Sequence, residues 1–271
     1  MISRYVNKYT DIISSHLAPR FIKFPQTQAE IDATKLRFEA QFNVPGLLSI
    51  VDGTHVAISA MSREVEHAFV NRKGFHSINV QIACDARMVI TNINARYPGS
   101  THDSFIFLAS RLYTFLRNLY ERDPHDLNII IGDYGYPLLP FLMTPFEGDN
   151  LTMNQTIYND LVVSTRTLIE RTIGLLKTRF RCIMGERQLR YHQTKVSKIV
   201  HACATLHNFL ILNGFDIFND IDPLDLAAVV NNNQIGNLNV NANLNLVANR
   251  MSGEHRRNQL ANELALRMQI N

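Results

Sequence analysis

Apolar residues recur at helical spacing from the start of the chain. Ile2, Tyr5, Val6, Tyr9, Ile12, Ile13 and Leu17 form one stripe, which predicts an amphipathic helix over residues 2–17. A second helix is predicted from Thr27 to Phe42, where Thr27 and Glu30 have capping-box spacing and Pro45-Gly46 ends the run. From Leu47 the period shortens. Strands are predicted at 47–58, 78–84 and 89–96, and a tight turn at Asp85-Ala86-Arg87 joins the last two into a three-strand meander. A long helix is predicted over 101–120. The apolar run Leu127-Asn128-Ile129-Ile130-Ile131 then reads as a buried central strand, followed by helices over 160–181 and 194–213.

Three strands, a helix, a fourth strand and further helices is the element order of an α/β fold with a ribonuclease-H-like mixed sheet and flanking helices, here preceded by a helical N-terminal segment. Four regions are expected: a helical segment over 1–44, a main domain over 45–215, an Asn-rich linker over 216–252 and a short C-terminal helix over 253–271. Residues 231–249 hold nine Asn in nineteen positions, too polar a stretch to repay its ordering entropy by burial, so disorder is expected there.

Bulk composition changes this picture little. The 271 residues are 46% hydrophobic and 19% charged, enough for one sizeable core, and a formal net charge of +3 does not mark a nucleic-acid binder. The distribution is more informative. Residues 161–190 carry Arg166, Arg171, Lys177, Arg179, Arg181, Arg187 and Arg190 against Glu170 and Glu186, a local balance of seven minus two, or +5. The three cysteines, Cys84, Cys182 and Cys203, form no CxxC pair, which supports neither a zinc site nor a disulfide framework and fits a reducing compartment. No apolar run reaches the roughly 18 residues of a membrane span, and the amino terminus lacks a secretory pattern. No membrane partner is expected.

Four acids stand beside apolar segments: Asp52 at the end of the first strand, Asp103 in the first turn of a helix, Asp133 after the central strand and Glu170 on a helix whose core stripe is Ile169, Ile173, Leu176 and Phe180. Each has a plain structural reading. Asp52 before Gly53 and Asp133 in Asp-Tyr-Gly-Tyr-Pro suit turns, Asp103 suits a helix N-terminus, and Glu170 suits a solvated helix face. As a set they suit another purpose, because converging carboxylates repel unless a cation lies between them, and Mg²⁺ or Mn²⁺ with oxygen ligands drives phosphoryl transfer. The expected activity is therefore that of a metal-dependent nuclease. The loop Asn71-Arg72-Lys73-Gly74-Phe75-His76 is suited to phosphate contact and equally to a solvated surface. His207-Asn208, among apolar neighbours, reads as a satisfied core pair.

Five motifs occur in order over 45–213: Val51-Asp52-Gly53-Thr54-His55, the run from Asn71 to Gln81, Pro98-Gly99-Ser100-Thr101-His102-Asp103-Ser104, Gly132-Asp133-Tyr134-Gly135-Tyr136-Pro137, and the run from Ile169 to Phe180. Together they resemble the PIF/Harbinger transposases and the Harbinger transposase-derived nucleases. The resemblance implies a DDE-type endonuclease using a divalent cation, with Asp52, Asp133 and Glu170 as catalytic acids and metal ligands and Asp103 as a further ligand. Arg72, Lys73, Lys177, Arg179 and Arg181 are the expected DNA contacts. Family members carry an upstream helix-turn-helix, of which 1–44 is the expected remnant, and work with a separate Myb-like DNA-binding protein. A homo-oligomer is compatible with this reading. Nuclear localisation is implied by the family, with the cytoplasm as the alternative. Two other functions remain open: a catalytically silent, domesticated derivative serving as a nuclear protein- or DNA-binding module, and a ribonuclease-H-like enzyme acting on RNA or hybrid duplexes.

Overall fold

The computed structural model describes residues 2–185, 188–215 and 244–270. Helix α1 (Ile2–Ile12) passes through a π-helical turn at Ile13–Leu17 into the short α2 (Ala18–Phe21). Helix α3 (Gln28–Phe42) opens on the expected capping box: Thr27 Oγ1 accepts from the Glu30 amide, and the Glu30 carboxylate accepts from the Thr27 amide. Strand β1 (Leu47–Ala57), the single-turn α4 (Glu66–Phe69), β2 (Ser77–Cys84) and β3 (Ile90–Pro98) follow.

The helix predicted over 101–120 is two helices, α5 (Asp103–Leu108) and α6 (Arg111–Arg122). Ser110 makes the break, because its hydroxyl accepts from the Tyr113 amide at 3.0 Å and so caps α6. Next come β4 (Ile129–Ile131), the two-residue β5 (Leu142–Met143), α7 (Met153–Arg179), a 3₁₀ turn at Arg181–Ile183, α8 (Gln193–Leu212) and α9 (Leu244–Ile270). The five strands form one mixed sheet in the order β3-β2-β1-β4-β5, antiparallel between β2 and β3 and parallel at β1–β4 and β4–β5. With its flanking helices this is the ribonuclease-H-like arrangement expected. Strand β4 has a neighbour on each side, as its unbroken Ile run implied, whereas β5 is too short to leave a periodic signal.

The described residues fall into two compact units, one from 2–24, 52–106 and 169–215, the other from 25–51, 107–168 and 244–270. In the first, β2 is buried along its whole length. Asp85 builds the β2–β3 turn by accepting from the Arg87 and Val89 amides, while Met88 adopts a left-handed φ of 63°. Strand β3 is a sheet edge, and Asn208 of α8 closes it. The Asn208 Oδ1 accepts from the Ile90 amide at 2.8 Å, and its Nδ2 donates to the Ile90 carbonyl at 2.7 Å and the Phe21 carbonyl at 2.9 Å.

His207 beside it is fully buried and donates from Nε2 to the Met88 carbonyl at 3.0 Å, while its Nδ1 is buried without a hydrogen-bond partner among the described residues, so the expected core pair is satisfied at Asn208 and only half satisfied at His207. Burial, the largest cause, pushes the His207 pKa from 6.5 down to about 4. Between those values the unfolded chain binds more protons than the folded one, so stability is fullest above pH 6.5 and falls as pH drops toward 4. The full effect is about 3 kcal/mol. The expected result is a urea unfolding midpoint that declines steadily from pH 7 to pH 4; a flat profile would contradict the buried neutral imidazole.

In the second unit, Phe38 and Ile31 of α3 and the β4 isoleucines are buried, and Phe107, Tyr113, Tyr136 and Phe141 make a cluster of edge-on and tilted rings. Helix α9 docks here by cation and backbone contacts. The Arg257 guanidinium lies 4.0 Å from the Phe146 ring centroid and donates to the Pro145 carbonyl at 2.9 Å, while Arg256 stacks over Tyr120 and donates to the Pro124 carbonyl.

The expected C-terminal helix starts earlier than residue 253. Gly253 is not its boundary but a point of close approach, where a Cβ would come within 2.9 Å of the Leu139 backbone, and the helix runs back to Leu244. Residues 216–243 of the predicted linker lie outside the described residues. Among the described residues no helix is long and apolar enough to cross a membrane.

Candidate active site

Asp52 lies within β1 and is only 6% exposed, its Oδ1 accepting from the Gly53 amide at 2.7 Å. Asp103 is the first residue of α5, the position that the helix dipole favours for an acid. Its carboxylate packs on Gly53 of β1. A Cβ added to Gly53 would fall 2.4 Å from Asp103 Oδ1, 2.8 Å from its Cγ and 2.9 Å from Oδ2, so the Asp103 carboxylate rests directly on the residue that follows Asp52. Only glycine leaves that space.

The Asp103 carboxylate is also held from β2. Asn79 Nδ2 donates to Asp103 Oδ1 at 2.8 Å and to the Thr101 carbonyl at 2.9 Å, locking the turn into α5 against the strand. Asn79 had no role in the sequence reading beyond its place in a motif. Its position on a strand beside a turn 22 residues away is a tertiary fact.

The basic loop stands near the same strand. Asn71 shapes it by accepting from the Lys73 and Phe75 amides, and its Nδ2 donates to Ser77 Oγ, which also meets His55 Nδ1 at 3.1 Å. Arg72 and Lys73 are exposed. Burial first, then the charges of Lys177, Lys73 and Arg72, push the His55 pKa down to about 4, so this imidazole is neutral at pH 7. Positive charge thus gathers along the strand that carries Asp52.

Lys177, expected as a DNA contact, is buried. It is 9% exposed, its Nζ donates to the His55 carbonyl at 3.1 Å, and burial, then the charge of Lys73, lowers its pKa to about 8 against an opposing pull from Asp52. Gly174 beside it is buried as well, so the stripe shared by Glu170, Gly174 and Lys177 turns inward rather than toward solvent. Arg181 is exposed and Arg179 half-buried.

Glu170 belongs to the same unit, half-buried on α7 about two turns before Lys177 and on the same face. The helix is fixed to β2 by Thr172, which hydrogen-bonds the buried Cys84 thiol. Asp133 lies in the other unit, just beyond β4. Its Oδ1 accepts from the Gly135 amide at 2.9 Å, so the turn reading of this residue is realised.

Among the described residues no three His, Cys, Asp or Glu side chains form a metal-holding cluster. Asp52 and Asp103 lie in the same unit, and each is an oxygen donor of the kind a hard cation such as Mg²⁺ takes, which is bound through one or two carboxylates and completes its shell with water and phosphate.

Residues 51–208 match the DDE superfamily endonuclease family. The chain belongs to this family. The matched DDE region holds all four acids, the basic loop and the Asn208 edge contact. Among curated proteins, the DDE-family chain is 34% identical over 218 residues to the human protein named "Putative nuclease HARBI1", covering 80% of this chain and 60% of that protein. It is 33% identical over 220 residues to the Xenopus laevis protein of the same name, covering 81% and 61%. It is 25% identical over 193 residues to "Protein ALP1-like" of Arabidopsis thaliana, covering 68% and 47%. The chain therefore spans about three fifths of the first two relatives' length. No solved structure matches it.

Gly53→Ala tests Asp103 without touching any of the four acids. The added methyl group displaces the Asp103 carboxylate, which Asn79 also constrains, and the expected result is Mn²⁺ affinity lower by about 10–100-fold, the range for changes that misorient a ligand. Calorimetric titration with Mn²⁺ checks this. Unchanged affinity would show that the Asp103 carboxylate is not a ligand.

Proposed function

We propose that this chain is a divalent-metal-dependent DNA endonuclease of transposase descent, which hydrolyses or transfers phosphodiester bonds by in-line attack. The observation that carries the reading is the match of residues 51–208, which hold Asp52, Asp103, Asp133 and Glu170, to an endonuclease family. By the family resemblance Asp52, Asp103, Asp133 and Glu170 are the residues that would hold Mg²⁺ or Mn²⁺, with Asp52, Asp133 and Glu170 as the catalytic acids. Bound there, one or two such cations supply an activated water or DNA 3′-hydroxyl and neutralise the leaving oxygen.

The chain's own groups do the rest. Asn79 orients Asp103, while Arg72 and Lys73 draw the phosphate backbone toward β1. Lys177, mostly protonated at pH 7 and held on the His55 carbonyl, lends its charge near Asp52, and Arg179 at the end of α7 and Arg181 in the turn after it extend the basic track. In the cell the protein acts on nuclear DNA, with target choice supplied by a Myb-like partner; the resemblance supports both.

Purified protein is expected to nick supercoiled plasmid DNA with Mg²⁺ or Mn²⁺ and not with EDTA, and to leave RNA and RNA–DNA hybrids intact. Equal residual cleavage in metal and in EDTA would overturn the reading. The silent-module alternative draws on the lack of a three-ligand cluster among the described residues. Absence of Mn²⁺ binding at millimolar concentration, with stable capture of a nuclear partner, would favour it.

A further inference from the structure

Two of the three cysteines meet outside the candidate nuclease site. Cys182, in the 3₁₀ turn Arg181–Ile183 that follows α7, is exposed, and Cys203 of α8 is buried; their Sγ atoms lie 4.0 Å apart although 21 residues separate them in the chain. Cys84 is buried in β2, where burial pushes its thiol pKa up.

Cys182 also lines a cleft of about 290 Å³ with Arg181, Gln188, Leu189, Arg190 and Tyr191, so a small reagent reaches its sulfur while Cys203 waits behind it. The hydrogen bond from Cys203, the largest cause, lowers the Cys182 thiol to about 7, with its own and the Ile183 amide adding to the effect. Cys182 therefore ionises more readily than a free thiol. This is the arrangement of an attacking thiol with a resolving thiol at hand.

We propose that Cys182 and Cys203 form a reversible disulfide when the protein meets a peroxide. The Cys182 thiolate attacks one peroxide oxygen; an S–O bond forms, the O–O bond breaks and hydroxide leaves, giving a sulfenic acid. Cys203 then attacks the Cys182 sulfur as its thiol proton passes to the departing hydroxyl. The S–S bond forms, the S–O bond breaks and water leaves. Overall two thiols are oxidised to one disulfide and one hydrogen peroxide is reduced to two waters. The sulfurs close from 4.0 Å to about 2 Å, a movement assigned to the exposed turn that carries Cys182. Closure ties the end of α7 to α8. In a reducing compartment such a bond is transient and reports an oxidising episode.

The full chain is treated with hydrogen peroxide, denatured and alkylated. The expected mass shows loss of two hydrogens and one alkylatable thiol remaining, proteolysis yields a Cys182–Cys203 cross-linked peptide, and dithiothreitol restores all three thiols. In Cys203→Ser the sulfenic acid has no resolving partner, and dimedone labels Cys182 far more than in the wild type. Retention of three alkylatable thiols, a cross-link to Cys84, or equal dimedone labelling of the two proteins would overturn the proposal.

Discussion

Asp52→Asn is expected to lower metal-supported DNA cleavage by about a thousandfold or more, equivalent to ~4 kcal/mol of transition-state stabilisation, while leaving the fold intact. The substitution preserves side-chain volume and removes one charge. Because Asp52 is only 6% exposed, removing its charge relieves the desolvation of a buried carboxylate in the metal-free protein. The metal-free thermal midpoint therefore stays level or rises, whereas the upward shift that Mn²⁺ gives the wild type disappears. These opposite movements separate a metal-binding acid from a structural one. Wild-type cleavage by Asp52→Asn would remove Asp52 from the chemistry altogether.

The second large effect is on stability. Asn208→Ala deletes the side chain that pairs both main-chain groups of Ile90 and the Phe21 carbonyl, leaving a donor and two acceptors to find new partners in a region where Asn208 itself has no exposed surface. Each buried polar group left unsatisfied costs about 1–3 kcal/mol, so a loss of about 3 kcal/mol or more is expected in urea unfolding. A loss below about 1 kcal/mol would mean that water re-pairs the β3 edge. Cleavage per folded molecule should change little, since Asn208 touches none of the four acids in the hydrogen bonds that define it.

The helices and strands were legible wherever a local code existed. Thr27 and Glu30 announced the start of α3, the Ile129–Ile131 run announced an internal strand, and the Asp85 turn announced the β2–β3 hairpin, because each depends on residues only a few positions apart. The long helix over 101–120 failed as a single element, since its apolar spacing continues across Ser110 while the hydroxyl caps a new helix. Lys177 shows a related limit. Helical spacing places it on the face of Glu170, but the His55 carbonyl that receives it lies 122 residues away.

For the acids, sequence by itself determined which residues were candidates and the family to which their motifs point, because motif order and spacing are properties of the chain. Tertiary structure alone decided what holds them. Asp103 rests on β1 because Gly53 lacks a side chain there and because Asn79, on another strand, holds the carboxylate in place. It likewise brought Cys182 to Cys203 and Asn208 to the β3 edge. Such contacts depend on the packing of elements far apart in the chain, and local periodicity carries no record of them.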